Sequence, residues 1–176
     1  MKWTTLSSVT KYKNRYMTVT EDLVKTDHGD QLTYGVVRKE PFSVVVPWDG
    51  TRMLLVGQYR YTIDFFSWEF PMGHAELDSP LVAARRELQE ETGLLAKDIQ
   101  EITRFYPAPG TMNQLGYLYV ATSWEVVGTS REPSERSMET KWVTLPECNQ
   151  MIASGVIKDG PTIASLKLFE SYLTLS

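Results

Sequence analysis

Glu87, Glu90 and Glu91 stand at i, i+3 and i+4, the spacing that brings three carboxylates to one face of a helix. Like charges so placed repel by roughly 0.2–0.5 kcal/mol per pair. Arg86, four residues before Glu90, is the arginine at helical spacing to offset that cost. Two readings follow from the residues alone. The triplet is a solvated charged face, as surface glutamates often form, or it is a seat for a hard cation. Mg²⁺ takes oxygen ligands from a few carboxylates and water and bridges to substrate phosphates, so three glutamates on one rigid face meet its needs.

A helix must present them, and its ends are written in the sequence. Ser79 can cap it, Pro80 suits its first position, and Gly93 supplies the stop, with Leu81, Ala84 and Leu88 as the apolar stripe. Around it, Tyr34 to Arg38, Phe42 to Val46 and Met53 to Val56 read as strands, the last two joined as a hairpin by the Asp49-Gly50 turn. Ser67 to Phe70, Ile102 to Tyr106, Leu115 to Ala121 and Lys141 to Leu145 are further strands, and Pro146 to Ser154 and Pro161 to Leu173 are further helices. The expected fold is mixed α/β, one mixed sheet with helices packed on its faces.

The 176 residues, 42% hydrophobic and 23% charged, suit one domain. A formal charge of -4 gives no electrostatic footprint for nucleic acid or an anionic membrane. No run of eighteen apolar residues occurs and Met1 to Asn14 lacks a signal-type apolar stretch, so a soluble protein is expected. Cys148 is the one cysteine; without a disulfide or cysteine-rich metal framework, a reducing, cytoplasmic setting is the expectation, with the thiol inert in its helix.

Gly73 followed by Arg86-Glu87-Leu88-Gln89-Glu90-Glu91-Thr92-Gly93-Leu94 resembles the Nudix box, the loop-helix-loop signature of the Nudix hydrolases. The C-terminal half matches at every specified position. The N-terminal half departs: the family's glutamate lies six residues after the glycine and eight before the arginine, whereas Asp78 lies eight before Arg86 and only five after Gly73. The resemblance implies a Nudix-type α/β/α sandwich over 1–176, with Glu87, Glu90 and Glu91 as metal ligands and a backbone carbonyl near Met72 completing a metal shell. It also implies that Arg86 orients a glutamate by ion pairing. The implied cofactor is Mg²⁺, with Mn²⁺ as a substitute.

Gln58-Tyr59-Arg60, Trp68-Glu69-Phe70-Pro71-Met72-Gly73 and Tyr106-Pro107-Ala108-Pro109-Gly110 resemble segments of the ADP-ribose pyrophosphatase branch, whose downstream proline matches Pro109, fifteen residues after Leu94. Arg60 is either a guanidinium fork for phosphate or ribose or a surface arginine after a strand. Glu69 is either a ribose ligand or partner of Arg60 or an ordinary strand-end acid. Pro109-Gly110 fixes a turn close to a ligand, with Gly110 free to take positive φ. Four residues past that pair the branch usually carries a glutamate, and here it is Gln114, which shifts weight toward a sugar nucleotide other than ADP-ribose. Tyr12, Tyr16, Tyr59, Tyr61, Phe65 and Trp68 are candidates to stack on the base. The branch implies a homodimer in which the N-terminal strands, residues 1–35, serve dimerisation and complete the partner's site, with Tyr12, Tyr16 and also Arg38 acting across it.

The implied reaction is Mg²⁺-dependent hydrolysis of the diphosphate of ADP-ribose or a related nucleoside diphosphate sugar. Its products are a nucleoside monophosphate and a sugar phosphate. The catalytic set is Arg86, Glu90 and a base from the polar loop, Glu135 by position, with Glu132 and Glu139 as alternatives. Gly73, Arg60, Glu69, Pro109, Gly110 and Arg38 would bind substrate. Hydrolysis of a nucleoside triphosphate or a dinucleoside polyphosphate, and an inactive nucleotide-binding module, are the competing readings.

Overall fold

Valine runs build the centre of the molecule, because each run has to bury both of its faces. The computed structural model describes residues 2–75, 79–131 and 137–175. Its elements in chain order are β1 (Thr4–Lys13), β2 (Thr18–Lys25), β3 (Gln31–Arg38), β4 (Phe42–Pro47), β5 (Arg52–Arg60), β6 (Phe65–Glu69) and β7 (Met72–His74). They continue with α1 (Pro80–Thr92), β8 (Leu94–Phe105), β9 (Gly116–Val126), β10 (Glu139–Thr144), α2 (Leu145–Ala153) and α3 (Gly160–Leu175). β4 lies parallel to β9 inside the mixed sheet β7-β4-β9-β8, and β10-β5-β6 is antiparallel.

Successive residues of a strand point to opposite faces, and here they feed two cores. Val44 and Val46 of β4 and Met53 and Leu55 of β5 pack with Phe70, Leu166 and Phe169 on the α3 side. Val45 and Leu54 pack with Ala84 and Leu88 of α1. Both sheets therefore form the middle layer of an α/β/α sandwich. The Asp49-Gly50 turn is present, with Gly50 at φ +98. The strands it joins do not form the expected hairpin ladder: β4 pairs with β7 and β9, β5 with β6 and β10, and only a bridge from Trp48 to Met53 links them. The amide of Trp48 is instead donated to Ala121 of β9, which splays the chain into two sheets.

The N-terminal strands form a separate antiparallel sheet, β1-β2-β3. β1 is exposed along its whole length. Asp22 of β2 ties the sheet together, accepting from Ser8 of β1 at 2.5 Å and from Arg38 of β3 at 2.7 Å. β3 is joined to the rest of the chain by the amide of Val37, which donates to Thr111. The Tyr34 hydroxyl adds a bond to the Gly110 carbonyl at 3.0 Å.

Candidate active site

α1 begins where the sequence says it must. Ser79 is extended and accepts from the amide of Val82, Pro80 occupies the first turn, and Gly93 closes the helix at φ +75. Ala83, Ala84 and Leu88 face the core. With that face fixed, Glu87 and Glu90 turn toward a cleft of about 650 Å³, and Glu91 lines it from within at 1% exposure. Opposite the helix the cleft is bounded by Arg60 at the end of β5, by Met72 and Gly73 of β7, and by Lys39, Phe42 and Gln114.

Two of the three carboxylates share one guanidinium, and the third accepts from a backbone amide. Arg86 Nη1 lies 2.7 Å from Glu87 Oε1 and 3.1 Å from Glu90 Oε2, and its Nη2 donates to the His74 carbonyl at 3.1 Å. Partial burial pulls the Arg86 guanidinium down, but Glu87 and Glu90 outweigh it and the net shift is upward. Glu91 accepts from the amide of Met72 at 3.3 Å. Glu87 lies over Gly73 so closely that a Cβ there would meet its carboxyl carbon at 1.9 Å.

Every donor on this face is an oxygen, which fits a hard divalent cation rather than a soft one. Among the described residues no three acidic, histidine or cysteine side chains converge tightly enough to enclose an ion as they stand. Glu87 and Glu90 both turn on Arg86. A cation and the guanidinium compete for the same oxygens.

Arg60 is engaged from behind. Its Nε donates to Glu69 Oε1 at 2.9 Å and its Nη2 to Oε2, a bidentate pair with a carboxylate only 1% exposed. Hydrogen bonding to Glu69 raises the Arg60 pKa, burial opposes it, and Asp159 and Glu91 add to the rise. Asp159 itself is pushed up, first by burial and then by Glu69. It caps α3, accepting from the amide of Thr162 at 2.8 Å, while the Thr162 hydroxyl oxygen accepts from Phe70 at 3.1 Å. The segment that carries Glu69 is thus fixed to the start of the last helix.

Of the residues singled out in the sequence, the cleft brings together Arg60, Met72, Gly73, Arg86, Glu87, Glu90 and Glu91, with Glu69 directly behind Arg60. Three others stand elsewhere. Arg38 is committed to Asp22 within the N-terminal sheet. Pro109 and Gly110 lie outside the cleft lining, Gly110 does not adopt positive φ, and its carbonyl holds Tyr34 instead. Tyr16 alone among the stacking candidates lines the cleft. Asp78, Glu132 and Glu135 fall outside the described residues, and Glu139 starts β10, exposed and opposite Gly57. Cys148 is buried and its thiol is pushed up to about 11 by burial, as an inert thiol requires.

Sequence reading missed Arg131. Its Nε and Nη2 donate to the Glu91 carbonyl at 3.0 and 2.8 Å and its Nη1 to the Met138 carbonyl. It satisfies an orphan carbonyl at the C-terminal end of α1 and ties the helix to the segment that enters β10. A lone arginine in a polar loop carries no periodic signal that could have revealed this.

A helix of glutamates facing a deep cleft, with arginines fixed around it in an α/β/α sandwich, defines a nucleotide pyrophosphohydrolase. The NUDIX domain matches residues 38–166, and the chain belongs to that family. Residues 3–37 match the N-terminal domain of nucleoside diphosphate sugar hydrolases, so the separate sheet β1-β2-β3 is a recognised module of this branch. A CMP-5'-(N-acetyl-N-hydroxy-3-aminopropyl)phosphonate hydrolase of Streptomyces rubellomurinus is 27% identical over 94% of this chain and 82% of its own. An ADP-ribose pyrophosphatase of Mycobacterium tuberculosis is 29% identical over 92% of this chain and 80% of its own. The crystal structure of an ADP compounds hydrolase shares the fold, with a TM-score of 0.86, 20% identity, and coverage of 99% of this chain and 95% of that one. The protein is a Nudix pyrophosphohydrolase carrying the N-terminal module of nucleoside diphosphate sugar hydrolases, and the family works with divalent metal ions.

Proposed function

We propose that the protein hydrolyses the diphosphate of ADP-ribose or a related nucleoside diphosphate sugar with Mg²⁺, or Mn²⁺ in its place, releasing a nucleoside monophosphate and a sugar phosphate. The observation that carries this reading is the cleft itself. One wall presents Glu87, Glu90 and Glu91, and Arg60 faces the same space with its fork held rigid by Glu69. The volume of about 650 Å³ falls in the range of small-molecule sites.

Glu87, Glu90 and Glu91 would hold the metal, with the Met72 backbone beside them. When bound, that metal supplies charge neutralisation for the diphosphate oxygens and acidification of a water. The chain's own residues do the rest. Arg60 holds a phosphate oxygen or the sugar hydroxyls, and Glu69 keeps its guanidinium aimed into the cleft. Arg86 holds Glu87 and Glu90 in register before substrate arrives. Glu135 receives the proton of the attacking water.

The protein works as a cytoplasmic homodimer, a role that the fully exposed β1 supports, while Arg15 and Tyr16 line the cleft of their own chain and not the partner's. Gln114, buried and donating to the Glu40 carbonyl at 3.0 Å, favours a sugar nucleotide other than ADP-ribose. A panel of ADP-ribose, GDP-mannose, UDP-glucose, ATP and a diadenosine polyphosphate, with and without Mg²⁺ and with products separated by chromatography, tests the whole reading. Metal-dependent release of a nucleoside monophosphate from a sugar nucleotide is expected. Turnover of ATP or the dinucleotide alone reassigns the substrate, and nucleotide binding without any turnover leaves a binding module.

A further inference from the structure

Four cationic side chains reach the cleft, and they are not equivalent. Arg60 is spent on Glu69 and Arg86 on Glu87, Glu90 and the His74 carbonyl. Arg15 and Lys39 have no acidic partner within ion-pair distance among the described residues, although both line the same space as the glutamates. Neither side chain springs from a floating segment. The Lys39 amide is anchored on Asn113 Oδ1 at 3.0 Å, and the Arg15 guanidinium rests 4.7 Å from the centre of the Tyr16 ring. In the cleft lining away from α1, Phe42, Met112 and Pro107 are uncharged and Gln114 is a neutral amide.

The cleft is therefore lined both by the acidic face of α1 and by two cations, Arg15 and Lys39, that have no ion-pair partner among the described residues. Unpaired cations in a concave surface attract and orient anions. A substrate whose only charges are on the diphosphate would leave those two cations uncompensated if its diphosphate were engaged at the Glu87, Glu90 and Glu91 face through a bound divalent cation. We infer that Arg15 and Lys39 form a second anion subsite and that the preferred substrates are sugar nucleotides bearing an anionic group outside the diphosphate, a carboxylate on the sugar or a phosphate on a ribose. The inference rests on the nucleoside diphosphate sugar reading above and extends it to the substituent that the enzyme selects.

Two matched pairs test it on the full-length protein with Mg²⁺: UDP-glucuronate against UDP-glucose, and the 2′-phosphate of ADP-ribose against ADP-ribose. Wild type should favour the additionally charged member of one pair by about tenfold or more in kcat/KM, the scale of one charge-assisted contact. The pair that shows the preference tells a sugar carboxylate from a ribose phosphate. Lys39→Gln and Arg15→Gln should bring the ratio to within about threefold of unity, Lys39→Arg should keep it, and added salt should shrink it in wild type. A wild-type ratio near unity in both pairs overturns the inference. So does a ratio that survives Lys39→Gln, or a loss shared equally by both members, which would put these cations on the common diphosphate. If no sugar nucleotide is hydrolysed, the proposed activity fails while the subsite stays testable. Calorimetry with the same four compounds should then give tighter binding of the charged member in wild type and not in Lys39→Gln, and equal binding overturns the subsite.

Discussion

Gly73→Ala tests the placement of Glu87 without touching a charged group. A Cβ at position 73 would lie 1.9 Å from the Glu87 carboxyl carbon, 2.0 Å from its Oε1 and 2.5 Å from its Cγ. Carbon atoms in contact sit about 3.5–4.0 Å apart, so the carboxylate must withdraw by roughly 1.5 Å. What withdraws is the end of a flexible side chain, partly exposed and free to change rotamer, so the fold should lose no more than about 1 kcal/mol. Activity has no such latitude. A misplacement of about 1 Å in a reacting site can cost on the order of a hundredfold, and withdrawal also breaks the 2.7 Å contact between Glu87 and Arg86. Turnover of the best substrate across a Mg²⁺ titration should fall about a hundredfold, with the metal requirement shifted upward and thermal unfolding nearly unchanged. Glu87→Asp in the same chain shortens the acid by a methylene and should recover part of the loss, a coupling that independent effects would not produce. Activity within about threefold of wild type at all metal concentrations would refute the reasoning, because the cleft would then tolerate a displaced Glu87. A loss of several kcal/mol of stability would refute it differently, by placing the clash in the packed core.

Glu135→Gln should cut turnover by about a hundredfold or more with metal binding intact, whereas Glu139→Gln, at an exposed position of β10, should change it little; near-wild-type turnover in the first removes Glu135 from the reaction. Glu69→Ala strips the bidentate partner from Arg60, and because that guanidinium keeps some water the cost by denaturant unfolding should be about 2–3 kcal/mol, below that of a fully buried pair. Burial works to raise the Asp49 carboxyl, but the amides and side chains of Thr51 and Arg52 outweigh it and hold the group at about 2. Its folded value lies below its unfolded one, so its stabilisation is complete above the ordinary carboxylate range and is lost as pH falls toward about 2. Asp49→Ala should therefore unfold at a lower temperature than wild type at neutral pH, with the gap closing in acid. Arg131→Ala should lower both kcat and thermal stability by freeing the Glu91 carbonyl, and Lys at the same position, with one point charge for a three-bond fork, should restore little.

The helix that carries the acids was legible to the residue because its signals are local. Ser79, Pro80 and Gly93 act through backbone geometry within a few positions, and the glutamates follow from the period. The N-terminal sheet was not legible beyond β3. β1 alternates Ser, Thr, Lys and Tyr with no apolar face, and every residue of it is exposed, so its extended form comes from its ladder with β2 and not from burial. The same limit explains β4 and β5. Two apolar runs around Asp49-Gly50 predict adjacency, but which ladder each joins is decided by β9 and β10, far along the chain. Pro109-Gly110 was recognised as a turn, and only the tertiary contact with Tyr34 reveals that it braces the N-terminal sheet and does not line the cleft. Arg60 and Glu69 lie on neighbouring strands but not opposite each other, since the register sets Arg60 against Phe65 and Glu69 against Val56, so their pairing depends on the reach of the arginine and is not written in the strand pattern.

The arrangement of donors also resolves the tension in the acidic triplet. Three carboxylates on adjacent turns repel, and a cluster that waited for a cation to relieve it would weaken the helix in the meantime. The chain divides the load. Arg86 draws Glu87 and Glu90 to one guanidinium, while Glu91 turns inward to the amide of Met72. Glu91 is thereby held by the backbone of β7, and Arg131 fixes the Glu91 backbone carbonyl. The repulsion is thus relieved by the chain's own donors, with one guanidinium holding two of the three carboxylates. The guanidinium also keeps the His74 carbonyl as a further partner. Arg86 thereby ties the acids of α1 to the end of β7, contacts that an arginine's planar, many-donor fork can make together.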